Sequence, residues 1–203
     1  MGGRVVRPED LKPPALTEEE WLSGQNLSRL IEFARYPFGE RDRKMLLSQV
    51  GWVRSGWDVL SEDGRRAVEA YEANAEGLIT IEERHKHYTA WDEGLCAFIR
   101  YMHPEPPDDT PGKAALRAGQ KLSLYEVLGN PFRPVAVDPS WLTSTVLALA
   151  NQMYESRDFS PMPILADALQ DAGCGNVDVL THCRQPGVHF RGCWVVDLLT
   201  GRK

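Results

Sequence analysis

The sequence has no run of apolar residues near the ~18 that a membrane-spanning helix needs, so a bilayer crossing is not expected. It also lacks an excess of positive charge: 29 acidic against 23 basic side chains leave a formal net charge of −6. That balance argues against broad, sequence-independent nucleic-acid binding, which requires a basic surface to displace counterions. Cysteine is scarce, and the four present (Cys96, Cys174, Cys183, Cys193) are too few and too clustered for a disulfide framework in a chain of 203 residues. Free thiols in a cytoplasmic protein are the expectation. The opening "MGGRVVRPEDLKPPA" has no apolar segment of the signal-peptide kind, and Val6 stands where a myristoylation signal needs Ser or Thr.

Catalytic signatures are missing as well. There is no glycine-rich phosphate loop, dinucleotide fingerprint, zincin helix or Gly-x-Ser-x-Gly elbow. Glu82 and His85 make one Glu-x-x-His pair, but a carboxylate-bridged di-iron site needs two, and none of His87, His103, His182 and His189 has a Glu three residues before it. The "EERHKH" run reads as a solvated charged face.

What is present is helical patterning. Thr17 opens a capping box with Glu20, and Asn26 caps a helix whose apolar face carries Leu27, Leu30, Ile31 and Ala34. Leu46, Val50, Val53, Trp57 and Leu60 recur at helical spacing, and Ser61 starts a segment lined by Ala67, Val68, Tyr71 and Ala75. From Thr80, the seven-residue recurrence of Ile81, Tyr88, Leu95 and Met102, with Trp91 and Phe98 between, predicts one long helix. "HPEPPDDTPG" then marks a boundary, rich in proline and acid. Further helices are expected over Ala114 to Leu128, from Asp138–Pro139 through Met153, and from Ser160 or Pro163 to Gly173. Short helices are expected over Val177 to Cys183 and Cys193 to Leu199, although "CWVVDLL" also fits a strand. The expected fold class is therefore all-α, a multi-helix, bundle-like protein. Its expected organisation is a flexible segment over 1–16, a helical region over 17–103, a Pro-rich acidic linker over 104–112 and a C-terminal helical module over 113–203.

The densest chemistry lies in "THCRQPGVHFRGCW". His182, Cys183, His189 and Cys193 are zinc-ligand types, and this is the one cofactor the chain suggests. The spacing lacks a Cys-x2-4-Cys knuckle, and adjacent His182 and Cys183 point about 100° apart on a helix. A thiol site is a second reading: Cys193 at a helix start, His189 as base and Asp197 one turn along. The third is structural, with Pro186–Gly187 as a turn, Gly192 allowing close approach and Trp194 anchoring the last helix. A helix-turn-helix reading of the segment from Ile164 to Arg184 places Asp178 and only one cation, Arg184, on the would-be recognition helix.

"TEEEWL", "SEDGRRAVEAYEANAEGL" and, above all, "NPFRPVAVDPSWLTSTVLALANQMYESRDFSPMPILADALQDAGC" running into "HCRQPGVHFRGCWVVDLLTGRK" resemble a bacterial family of helical proteins. The resemblance implies a bacterial cytoplasmic protein with a defined C-terminal module, and it brings no cofactor or catalytic residue with it.

With no complete catalytic motif, the leading expectation is a non-enzymatic interaction or regulatory protein that binds another protein through Arg133, Trp141, Arg184 and Arg191, residue types enriched at binding hot spots. The alternatives are a small zinc- or thiol-dependent enzyme centred on His182, Cys183, His189 and Cys193, and an accessory subunit of a nucleic-acid machine. The last requires Arg41, Arg43, Lys44, Arg184 and Arg191 to share one face.

Overall fold

Hydroxyl and amide caps set where the helices begin. The structure, a computed structural model, describes residues 15–38, 43–94 and 111–202. At Thr17 the hydroxyl accepts from the Glu20 amide (3.2 Å) while the Glu20 carboxylate accepts from the Thr17 amide (2.9 Å). This closes the capping box of α1 (Glu18–Ser23). Asn26 caps α2 (Leu27–Phe38) through the Arg29 amide. α3 (Arg43–Arg54) passes into a 3-10 turn at Trp57–Val59, and Ser61 caps α4 (Glu62–Ala75).

Thr80 and Glu83 form a second capping box at the start of α5 (Ile81–His85). The single long helix expected here is broken. The Lys86 and His87 amides bond to the Glu83 and Arg84 carbonyls (3.2 and 2.9 Å), the tightened i to i+3 pattern that ends an α-helix. The chain is helical again over 88–94. The phase change leaves Tyr88 exposed (57%), whereas Trp91 is buried and stacks on Tyr71 with ring centroids 4.1 Å apart. Leu95, Phe98 and Met102 lie outside the described residues, as do Cys96, residues 1–14 of the N-terminal segment and 104–110 of the expected linker.

α6 (Pro111–Leu128) therefore starts within the last residues assigned to that linker, and it packs against α2 and α3. Asp138 caps a 3-10 turn at Pro139–Trp141; a separate cap at Thr143 then opens α7 (Ser144–Ser156). α8 (Met162–Asp171), α9 (Val177–Arg184) and α10 (Trp194–Thr200) follow. "CWVVDLL" is helix, and the described residues contain no strand: the fold is all-α. No described helix is long and apolar enough to cross a membrane.

Among the described residues, three apolar clusters result. Trp21, Leu30, Ala34, Met45 and Leu124 join α1, α2, α3 and α6, while Val50, Val53, Val68, Tyr71 and Trp91 are part of a second cluster around α3 and α4. The largest is built from α7 to α10 and takes in Cys174, Cys183 and Cys193. Two buried carboxylates tie this last cluster to the earlier helices. Asp197 of α10, 1% exposed, accepts both terminal nitrogens of Arg43 (2.6 and 3.1 Å) and the Lys44 ammonium (2.7 Å). Glu72 of α4, 2% exposed, accepts from Arg54 (2.7 Å) and Arg157 (3.0 and 3.1 Å), with Arg191 at 3.7 Å.

Asp197→Asn removes the buried carboxylate that Arg43 and Lys44 share while Arg43 keeps its pair with Glu76 (3.2 Å), so it is expected to lower unfolding free energy by about 3 kcal/mol. Arg66→Ala removes only the exposed pairs to Glu62 and Asp63 and is expected to change it by less than about 0.5 kcal/mol. Urea denaturation of both variants beside the unsubstituted chain measures the contrast.

Candidate metal centre

The site begins with two turns. Asn176 accepts from the Val179 amide (3.1 Å) and fixes the start of α9. With that start, Val179, His182 and Cys183 fall on its buried side. Adjacent His182 and Cys183 then diverge: Cys183 enters the apolar cluster of α7 to α10, and the His182 ring lies beside Trp194 (5.3 Å) and His189 (5.0 Å). The second turn is Phe190 to Cys193, closed by the Cys193 amide on the Phe190 carbonyl (3.0 Å). Gly192 there has φ +96°, and a Cβ would stand 3.0 Å from the Leu47 side chain, so both conformation and space call for glycine. This turn places Cys193 as the residue preceding α10, with its thiol wholly buried.

The remaining member is Glu126 of α6, 6% exposed. Its two oxygens lie 3.0 and 3.1 Å from His189 Nδ1, and Oε2 is 3.4 Å from His182 Nε2. His182 Nε2 is in turn 3.2 Å from Cys193 Sγ. One donor atom from each of Glu126, His182, His189 and Cys193 falls within 4.8 Å of the others. Zinc bonds of 2.0–2.3 Å in a tetrahedron put donors about 3.3–3.8 Å apart, so the set needs only small adjustments to close on an ion.

Burial favours the neutral forms of Glu126, His182 and Cys193 in the ion-free site. Burial pushes the Glu126 carboxyl up, against the opposing pull of hydrogen bonds from His189, Cys193 and the Phe190 amide. Burial, then the charge of His189, brings His182 down to about 3. Burial raises Cys183 to about 12 and Cys193 well above the ordinary thiol range; the Val196 amide pulls Cys193 the other way, but burial and the Glu126 charge outweigh it. The helix-start argument for a thiolate thus loses to desolvation. The thiol reading loses its third member too, because Asp197 is bound to Arg43 and Lys44.

Of the four residues proposed from sequence as metal ligands, the structure brings together His182, His189 and Cys193. Cys183 is outside the cluster, and Glu126 takes the fourth place. Glu126 was missed because it precedes His189 by 63 positions. The available signal was a lone carboxylate beside Leu124 and Val127, on a helix flank that is otherwise core.

The residues suggested as partner contacts are held within the chain. Arg133 pairs with Glu18 (2.5 Å), and Arg184 bonds to Asp167 (2.9 Å) and Gln170 (2.7 Å). Arg191 donates to the Tyr154 carbonyl (2.7 Å) and lies over that tyrosine's ring, while Trp141 packs partly buried on the C-terminal core. Arg43, Lys44 and Arg191 are turned inward onto buried carboxylates, so they do not form the basic face that a nucleic-acid subunit requires; Arg41 lies outside the described residues. No family model, curated protein or solved structure matches the chain.

Two measurements on the ion-free protein check this description. Cys183 and Cys193 are expected to react with a disulfide reagent at pH 8 at least about tenfold slower than a model thiol, becoming normal in denaturant. The His182 ring is expected to remain neutral from pH 8 down to pH ~5, so its NMR signals should not titrate where an ordinary histidine does.

Proposed function

We propose that this chain is a zinc-binding helical protein whose ion is held by Glu126, His182, His189 and Cys193. The observation that carries the reading is the meeting, within 4.8 Å, of four donors of the types zinc prefers, brought from separate parts of the sequence. The charge pattern supports it. Asp197 and Glu72 are buried against guanidinium and ammonium groups, whereas the partners of buried Glu126 are two imidazoles, a thiol and a backbone amide. A divalent cation would supply a counter-charge independent of any proton on the imidazoles, ionise Cys193 and let Glu126 stay a carboxylate. It would also join α6 to α9, α10 and the segment between them, and so stabilise the fold by mass action. A protein-binding role built on Arg133, Trp141, Arg184 and Arg191 has less support, since Arg191 and Trp141 are engaged within the chain and only Arg133 and Arg184 are exposed.

Protein purified without a histidine tag is expected to carry one zinc per chain by elemental analysis. Glu126→Gln, His189→Ala and Cys193→Ser should each weaken binding at least about tenfold, while Cys183→Ala keeps the stoichiometry. Chelation should lower the melting temperature of the unsubstituted chain and leave that of Cys193→Ser unchanged. A chain that binds no zinc, nickel or cobalt under reducing conditions overturns the proposal.

A further inference from the structure

We infer that the centre is entered from one side by a small molecule with an apolar, preferably aromatic body and a single metal-coordinating head such as a carboxylate or hydroxamate. The inference rests on the reading of the four donors as metal ligands and adds a ligand class to it.

A cleft runs between α3, α6 and the segment from Gln185 to Phe190, and Glu126, His182 and His189 are among its lining residues. Cys193 is not; it lies behind them at the start of α10 and is wholly buried. A purely structural zinc site is closed on all sides, whereas an ion held here would have the thiolate behind it and three cleft-lining donors in front. Zinc is able to expand from four to five ligands, and a donor arriving through the cleft would take that fifth position.

The lining specifies the visitor. Trp52, Leu122, Tyr125, Pro186, Val188 and Phe190 make it mainly apolar and aromatic. Two glycines fix the aromatic walls directly on helix backbone. A Cβ on Gly51 would stand 2.2 Å from the Phe190 ring, and one on Gly119 would stand 2.8 Å from the Trp52 indole nitrogen. Walls set in this way are organised before any ligand arrives. The three hydroxyls of the described lining have their protons engaged on backbone carbonyls, Ser55 on Trp52 (2.7 Å), Ser123 on Gly119 (3.0 Å) and Tyr125 on Trp21. Among the described residues the lining holds no lysine or arginine, which favours a head with a single charge over a multiply charged anion such as phosphate. A single donor head for the metal and an apolar body for the walls suit these surroundings.

The test uses the full chain loaded with cobalt(II), whose visible absorption reports coordination number. Titration with benzohydroxamate is expected to shift the cobalt bands saturably while the metal stays with the protein on desalting. Acetohydroxamate, which lacks the ring, is expected to bind about tenfold more weakly. Leu122 lines the cleft, is 66% exposed and is not one of the four donors, so Leu122→Asn should keep cobalt stoichiometry and the unliganded spectrum yet weaken benzohydroxamate several-fold. One cobalt per chain with a spectrum that neither hydroxamate moves, or with equal affinity for both, overturns the cleft and leaves the zinc reading standing. A chain that takes up no cobalt overturns both.

Discussion

The architecture depends on burying carboxylates where the C-terminal helices meet the earlier ones. A charge removed from water is tolerable only if another group replaces the hydration it loses, and each buried acid here settles that differently. Asp197 recruits the first two residues of α3, one forked and one point-like cation. Glu72 recruits α3 and the C-cap residue of α7, Arg157, which adopts a left-handed φ of +60°, rarely taken by a non-glycine residue. These pairs do not have to add net stability to matter. Their stricter effect is on register, since a helix that slid or rotated would leave a charge buried without its partner.

Much of the helical frame was legible because it is written locally. A cap side chain, an acid three residues later and an apolar spacing of three and four are all within one turn of each other, and Thr17, Asn26, Ser61 and Thr80 acted as those signals predict. Two errors share a cause. The seven-residue recurrence from Ile81 and the cap-proline pair at Asp138 describe apolar position and start signals, but neither reports how the next turn closes. At Lys86–His87 and at Trp141–Leu142 the chain closes with 3-10 bonds, and the helix begins again with a different phase. Burial of Arg84 against Tyr71 and Asn74 is a tertiary event that holds the first break in place, and no local pattern encodes it.

The site was half legible for a related reason. His182, His189 and Cys193 lie within one loop and its flanking helix ends, so composition alone marked them. The exclusion of Cys183 follows from the angle between adjacent helical residues, which sequence supplies, together with the position of the core, which it does not. Glu126 required knowing that α6 lies across the same loop. A carboxylate flanked by Leu124 and Val127 is in retrospect the informative oddity, because an acid on a buried flank must have a partner somewhere.

If the four residues hold an ion as proposed, their position at the joint has a physical consequence beyond affinity. Glu126 comes from a helix packed on α2 and α3, while His182, His189 and Cys193 come from elements of the C-terminal cluster. An ion held by all four is therefore a contact between the two packing units, parallel to the Asp197 and Glu72 clusters. It differs from them in being exchangeable, since guanidinium and ammonium groups are tethered and permanent while a cation binds and leaves by mass action. The two tethered clusters keep the units together when the ion is absent, and a set of donors already in place then costs little ordering on binding. The same division explains why the acid at the exchangeable contact lies against imidazole and thiol instead of arginine. A permanent cation would compete with a metal for Glu126, whereas imidazole and thiol groups hold the site in shape and the Cys193 thiol would release its proton on binding an ion.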